Sequence, residues 1–525
     1  MTQEQTDSLI EYGARRYIIT VTVVLCTLLE LIDTTIVNIA TTTLMGSLGA
    51  TISEISWVVA AYAIANVIVV PMSGWLSATF GRRNYFAGSV ALFTFASLMC
   101  GMSDTIWTLV FWRFIQGIGG GALFATSQTI LKEIYPPEKI GMAMAMFGMG
   151  VIVGPTIGPY LGGYLVYNFS WPVIFYVNIP IGILATFLTL TYIRDNPYDK
   201  RESSSVDWLG IFLLIVGIGA LQLVLEQGER NDWFESKYIL FFTLMAVMGI
   251  VGFIVHELTT KNPIVDLRVL AKANVAIATI MNFVLGLILY GSVFIYPIFM
   301  QHFLGFTPQL SGEMFMPGAL LSGLLMPIVG GLLSKGTPPK FMIFFGFFIT
   351  GIFVFWSSFI ITPNTGVMDM FWPLLVRGFG MAFLFVPLSA LTLGGLVGAD
   401  VGQASGISNM VRQIGGSISV ALIGTLTETL SAHHRANLIQ HITPDNVLLT
   451  ERIAKVKAGM MSMSTDAQHA AQQAYAYIDM VINRQAAILS YVDIFHYLTI
   501  FVFVTLPLIL FAKNFKVDKD NLGGH

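Results

Sequence analysis

Two acids three residues apart, Glu30 and Asp33, stand in the stretch LLELIDTTIVNIA (28–40), inside an apolar run that begins near Tyr17. Residues at this spacing share one face of a helix, and Thr27, Thr34, Asn38 and Thr41 continue that face as a polar stripe. Two carboxyls this close in a low dielectric do not both ionise cheaply, so the pair is suited to taking up and releasing a proton. The matching cation is Arg113, in WRFIQGIGGGA. Several residues into an apolar segment, a guanidinium costs about 2.5–3.5 kcal/mol on insertion scales unless it is paired or reaches water. Trp107 marks one end of that segment and Lys132 the other, so Arg113 is expected to face an acid or a cavity. Arg377 and Arg412 sit in later apolar runs, each within reach of a helix end. A third feature is steric. Gly150, Gly154, Gly158 and Gly162 recur every four residues, with Pro155 and Pro159 among them. Such a stripe admits close approach by a neighbouring helix, and the prolines let it bend, as a rocking interface needs.

The elements that carry these residues follow from composition. The 525 residues are 55% hydrophobic and 11% charged, with a mean hydropathy of +0.74, outside the range of soluble domains. Segments long enough to cross about 30 Å of hydrocarbon run over 17–40, 55–76, 84–103, 106–131, 139–166, 172–193, 206–226, 238–256, 273–301, 312–333, 340–361, 368–396, 402–430 and 491–512. The pattern predicts an all-α polytopic membrane protein with fourteen spans. The first run is too long and too acidic for a cleaved signal peptide.

An even number of crossings places both termini on one side. That side holds Arg15, Arg16, Arg82, Arg83, Lys132, Lys139, Arg194, Lys200, Arg201, Lys261, Arg268, Lys272, Lys335, Lys340, Lys513, Lys516 and Lys519, against Arg230 and Lys237 in the short opposite loops. The bias predicts cytoplasmic termini. Cys26 and Cys100 lie in different spans, which argues against a disulfide framework. A net charge of −3 with so few charges excludes a nucleic-acid reading. None of the eight histidines sits mid-span with a second ligand, and the HELTT at His256 lacks the second histidine of a metalloprotease helix, so neither a metal site nor a membrane-embedded enzyme is expected.

The charged, Ser-rich linker RDNPYDKRESSSVDW (194–208) separates the first six spans from the rest, and a sixty-residue outer segment, 431–490, precedes the last span. Helix formers in its later part predict an extension of that span out of the membrane, as a solvated cap or a docking surface. The halves also echo each other. Arg113 and Arg377 begin similar fourth-span and twelfth-span motifs, Gly141 aligns with Gly402, and Gly154 with Gly415. The expected organisation is therefore an N-terminal six-helix bundle over 1–193, a linker with two inserted helices over 194–272, and a C-terminal six-helix bundle over 273–525 with the long outer loop. Two related bundles around a central axis are the architecture of a rocking secondary transporter.

These motifs give the chain a resemblance. LIDTTIVNIA, with Asp33, Thr35 and Asn38, resembles the first-helix signature of the fourteen-helix drug:proton antiporters of the EmrB/QacA type, within the major facilitator superfamily. GWLSATFGRR is similar to the superfamily's loop between spans two and three, at Gly74, Leu76, Gly81, Arg82 and Arg83; RFIQGIGGGA, GMGVIVGPTIGPYLGG and WPVIFYVNIP resemble its fourth-, fifth- and sixth-helix motifs. One departure is Ala78, where the loop motif has Asp, so Arg82 and Arg83 need other partners. The resemblance implies proton-driven export of amphipathic or toxic compounds, without a cofactor other than the proton gradient, by a monomer in lipid in the bacterial inner membrane. A periplasmic adaptor and an outer-membrane channel are partners in one group of such pumps. It implies proton coupling through Asp33, Glu30 and Arg113, a substrate cavity with Asn38, Gln116, Asn178 and Arg412, and gating or packing roles for Gly74, Gly81, Arg82, Arg83, Gly150, Gly154, Pro155 and Gly158. Alternatives are a dedicated exporter of one metabolite or lipid, a proton-coupled importer, and a transport-like receptor that moves no protons.

Overall fold

The computed structural model describes residues 9–195, 206–443, 445–461 and 467–512. Lys200, Arg201, Lys513, Lys516, Lys519 and the middle of the linker lie outside the described residues. Among those described there are helices and no strands. The fourteen apolar segments are α1 (Gly13–Leu48), α2 (Ile52–Phe80), α3 (Arg82–Gly101), α4 (Ile106–Ile134), α5 (Ile140–Asn168), α6 (Val173–Tyr192), α7 (Trp208–Gln227), α8 (Lys237–Thr259), α9 (Ala273–His302), α10 (Pro308–Ser334), α11 (Pro339–Ile360), α12 (Val367–Leu393), α13 (Ala399–Ile439) and α14 (Ala467–Thr505). Local chemistry sets their ends. Thr51 and Glu54 form a capping box at α2, Asp207 accepts from the Gly210 amide at α7, and Thr307 from the Leu310 amide at α10, each satisfying an amide that the first turn leaves open. The left-handed Gly49 (φ +61°) closes α1.

Two bundles of six, α1–α6 and α9–α14, repeat one packing scheme. α2 and α4, α3 and α4, α3 and α6, and α1 and α5 pair in the first; α10 and α12, α11 and α12, α11 and α14, and α9 and α13 pair in the second. The bundles join through two equivalent crossings, α2 with α13 and α5 with α10. The inserted α7 packs on α8 and along α2 and α13, whereas α8 packs chiefly on α7, outside the two bundles.

Glycines set how closely the bundles approach. A Cβ on Gly74 would stand 2.9 Å from the Gly402 carbonyl carbon, and one on Gly141 would stand 2.6 Å from the Gly330 oxygen. Both contacts lie at the face that carries Gly13 and the C-terminal ends of α2 and α4, called here the terminal face. There Lys132 donates to the backbone carbonyls of Leu393 (2.6 Å) and Leu396. Gln128 accepts from Ser405 (2.8 Å) and Asn409 (3.0 Å). The molecule is therefore closed on the terminal face.

α14 carries the expected extension of the last span, and α13 outruns its expected end at residue 430. Both run well beyond the apolar windows as an antiparallel pair tied by Arg435 to Asp479 (2.8 Å) and His434 to Asp493 (2.8 Å), because their polar ends are strong helix formers with a partner to pair against. A further outer helix, Val447–Met461, packs on α14 and buries none of its residues. Its removal is expected to leave insertion intact and the detergent-phase unfolding midpoint nearly unchanged, as differential scanning fluorimetry would read.

Candidate functional site

Asp33 lies fully buried inside the N-terminal bundle, where the helices converge on it. Arg113 donates to its Oδ2 at 2.5 Å, and Gln116 and Asn178 donate to its Oδ1 at 2.8 and 2.9 Å. Arg113 is fixed in turn by the Val58 carbonyl (3.2 Å) and Gln116 Oε1 (2.7 Å), with its guanidinium carbon 4.3 Å from the centre of the Tyr62 ring. Ser97 accepts from both Gln116 (3.2 Å) and Asn178 (3.0 Å) and donates to the Phe175 carbonyl. One carboxylate thus gathers α1, α2, α3, α4 and α6. This answers the cost of burying Arg113, since a buried ion is tolerated when it is paired and its remaining donors are satisfied. Gln116 and Asn178, expected on a substrate cavity, both hydrogen-bond Asp33.

Glu30 lies one turn away and differs in surroundings. Its Oε1 accepts from Asn66 at 3.1 Å, while Oε2 is buried without a partner. It sits beside Phe124, as does Arg412 of the other bundle, whose guanidinium carbon is 4.1 Å from the Phe124 ring centre and 5.7 Å from that of Phe385. Phe124, Phe147 and Phe385 pack edge to face or tilted, with centres 5.0–6.3 Å apart, forming an aromatic plug where the bundles meet. Arg412 and Arg377 both lie well inside their helices and are buried. Arg377 donates to Ser292 at 2.9 Å and lies over Phe315, so the repeat keeps the arginine of the fourth span but sets a hydroxyl, not an acid, against it. Asn38 is exposed, one turn beyond the buried cluster.

The glycine seam corrects an expectation. Gly150, Gly154, Gly158 and Gly162 do not form the interface between bundles; they face α1, where added Cβ atoms would meet Val24, Leu31, Thr35 and Ile36 respectively. Pro155 is buried in the same turn of α5. The seam therefore sets how α1, and with it Glu30 and Asp33, sits in its own bundle. In the loop motif, Arg82 pairs with Glu133 and the exposed Arg83 receives its support through its backbone amide, which donates to Asp195 at 2.9 Å. Gly81 adopts φ +82° with Asp195 packed where a Cβ would be, so only glycine fits there without strain. These partners replace the acid missing at Ala78. Sequence reading passed over Ser97, Asn66 and Gln128, although each is a polar side chain within an apolar span and the rule that marked Glu30 applies to them equally.

Two pseudo-symmetric six-helix bundles, with a buried acid and arginine in one and an aromatic plug between them, define a membrane transporter. The chain belongs to the Major Facilitator Superfamily, whose profile matches residues 23–420, in the fourteen-span, EmrB-like branch. It is 33% identical over 501 residues to the multidrug export protein EmrB of Escherichia coli K12, covering 95% of this chain and 96% of that protein. It is 32% identical over 505 residues to the fatty acid resistance protein FarB of Neisseria gonorrhoeae, covering 95% and 97%. Among solved structures, the proton:xylose symporter XylE superposes with a TM-score of 0.59 at 13% identity, over 95% of this chain and 96% of that one, which shows a common fold.

An ammonium cannot hold Asp33, Gln116 and the Val58 carbonyl together. Arg113→Lys is therefore expected to lower transport in everted vesicles at least tenfold at equal membrane abundance, checked by quantitative immunoblot beside the flux assay.

Proposed function

We propose that the chain is a proton-coupled multidrug exporter that moves amphipathic, toxic compounds out of the cytoplasm across the bacterial inner membrane. The terminal face is cytoplasmic in this reading, so the structure is closed to the cytoplasm. The units that move against each other are 1–193 and 273–525, with 194–272 as an inserted linker and helix pair. The observation that carries the reading is the Asp33 cluster: a single carboxylate holds five helices through four hydrogen-bonding side chains, so its charge state is tied to the geometry of the whole bundle. A proton on Asp33 trades the ion pair with Arg113 for a weaker bond from the guanidinium to a neutral acid and loosens α1 from α4 and α6. Glu30, with an idle oxygen beside the aromatic plug, is placed to accept from a substrate lodged between Phe124, Phe147 and Phe385, across from Arg412. The similarity to EmrB and FarB, whose names record multidrug export and fatty acid resistance, supports apolar substrates with a polar or charged end. The antiparallel extension of α13 and α14 with the Val447–Met461 helix is the surface for a periplasmic adaptor that leads to an outer-membrane channel.

Purified protein in proteoliposomes tests this. Adding a lipophilic cation to vesicles with an imposed pH gradient is expected to collapse that gradient and accumulate the compound together, neither of which occurs in protein-free vesicles. Equilibration of the compound without proton movement marks a uniporter, and binding with neither marks a receptor.

A further inference from the structure

A small cavity opens at the terminal face between the two bundles, lined by Ser77 and Ala78 of α2, Arg82 at the start of α3, Thr126 of α4, and Gly398 and Ala399 at the start of α13. Ser77 and Thr126 are 7% and 3% exposed, and neither hydroxyl has a hydrogen-bond partner. Buried hydroxyls almost always find one. Their neighbours Ser73 and Thr129 behave ordinarily, donating to the Val70 carbonyl (2.7 Å) and the Ala125 carbonyl (3.1 Å). The two idle donors meet the amino end of α13, a 41-residue helix whose N-cap, Gly398, offers no side chain to its first-turn amides. That end carries partial positive charge and open N–H groups. Asp400, in the same first turn, is engaged by Lys272 at 2.7 Å, and Arg82 is engaged by Glu133. No lining side chain is a carboxylate, and the methyl group of Ala78 stands where a larger side chain would fill the space.

We infer that this cavity binds one small monovalent anion of about chloride's size, which bridges Ser77 and Thr126 to the amino end of α13 and holds the terminal face closed. The site straddles the closure: α2 and α4 belong to one bundle and α13 to the other. Opening this face pulls the amino end of α13 away from the hydroxyls, so the anion must leave first. The two idle hydroxyls, the Arg82 side chain and the amino end of α13 favour a guest over water to the extent that it carries negative charge.

The test uses full-length protein in detergent, with the unfolding midpoint followed against sodium chloride or sodium bromide while sodium gluconate, too large for the cavity, keeps ionic strength constant. Wild type is expected to show a saturable rise with either halide. Ser77→Ala and Thr126→Val, each removing one donor, are expected to raise the half-saturating halide concentration about tenfold. Ala78→Asp, which supplies a tethered carboxylate, is expected to abolish the halide response. A flat response in wild type means that water fills the cavity and overturns the inference. Unchanged halide affinity in both hydroxyl variants overturns it as well, because the response then arises elsewhere; those two variants decide the matter if Ala78→Asp does not fold.

Discussion

Asp33→Asn is expected to abolish accumulation driven by a pH gradient while binding of a neutral substrate stays within about threefold of wild type. The amide occupies the same volume and keeps an acceptor for Arg113, but it cannot titrate. Each pH unit of gradient supplies about 1.4 kcal/mol per proton, and a carrier that binds no proton at its switch collects none of it. The same substitution leaves Arg113 buried opposite a neutral group. Removing one partner of a buried pair costs about 3–5 kcal/mol, so a lower unfolding midpoint accompanies the loss, and thermal stability alone does not separate coupling from structure. Proton release does. Coupling between two ligands is reciprocal, so substrate added to detergent-solubilised wild type should expel protons into a weakly buffered solution, and the Asn variant should expel measurably fewer at equal substrate occupancy. Glu30→Gln serves as the contrast: it should keep gradient-driven transport of neutral compounds and weaken cationic ones about tenfold, because under the proposed function its idle oxygen attracts positive charge. Undiminished gradient-driven transport by Asp33→Asn would show that the buried acid is a structural clamp only.

Fourteen spans, their order and the two-bundle repeat were legible because bilayer thickness turns composition into length and because Arg113, Gly141 and Gly154 have echoes in Arg377, Gly402 and Gly415. The identity of Asp33, Glu30 and Arg113 as unusual residues was equally visible, since ionisable groups in apolar runs are rare and costly. What spacing did not reveal was direction. Gln116 and Asn178 looked like cavity residues because they are polar and intramembrane, yet an ionised side chain needs its lone pairs filled, and the nearest amides are recruited for that first. The glycine seam looked like the moving interface because smooth faces suit sliding, but its period of four says only that some helix comes close; which helix is settled by tertiary packing. The extensions of α13 and α14 were half legible, since helix propensity was present and the pairing of Arg435 with Asp479, across 44 residues of sequence, was not.

The seam's true neighbour gives the second large effect. Gly158→Leu is expected to eliminate export and lower the unfolding midpoint, although the protein still inserts. A Cβ at this position already overlaps Thr35, and at Gly154 it would stand 2.9 Å from Leu31 Cβ, so a leucine on this face forces α1 off α5. Overpacking costs about 1–3 kcal/mol where surroundings can adjust; here the obstruction is a helix whose next turn carries Glu30 and Asp33. Displacing α1 by even about 1 Å disturbs the 2.5–2.9 Å bonds that Arg113, Gln116 and Asn178 make to Asp33, because such bonds weaken steeply with length and angle. Gly163, on the same helix, provides the control, since a Cβ there meets nothing within 4 Å. Gly163→Leu should transport and melt like wild type. Flux in everted vesicles, normalised to membrane abundance, and scanning fluorimetry on both variants decide it. Normal export by Gly158→Leu would mean that α1 can stand away from α5 without disturbing Asp33, and the seam would then govern assembly of the bundle but not the position of its acid.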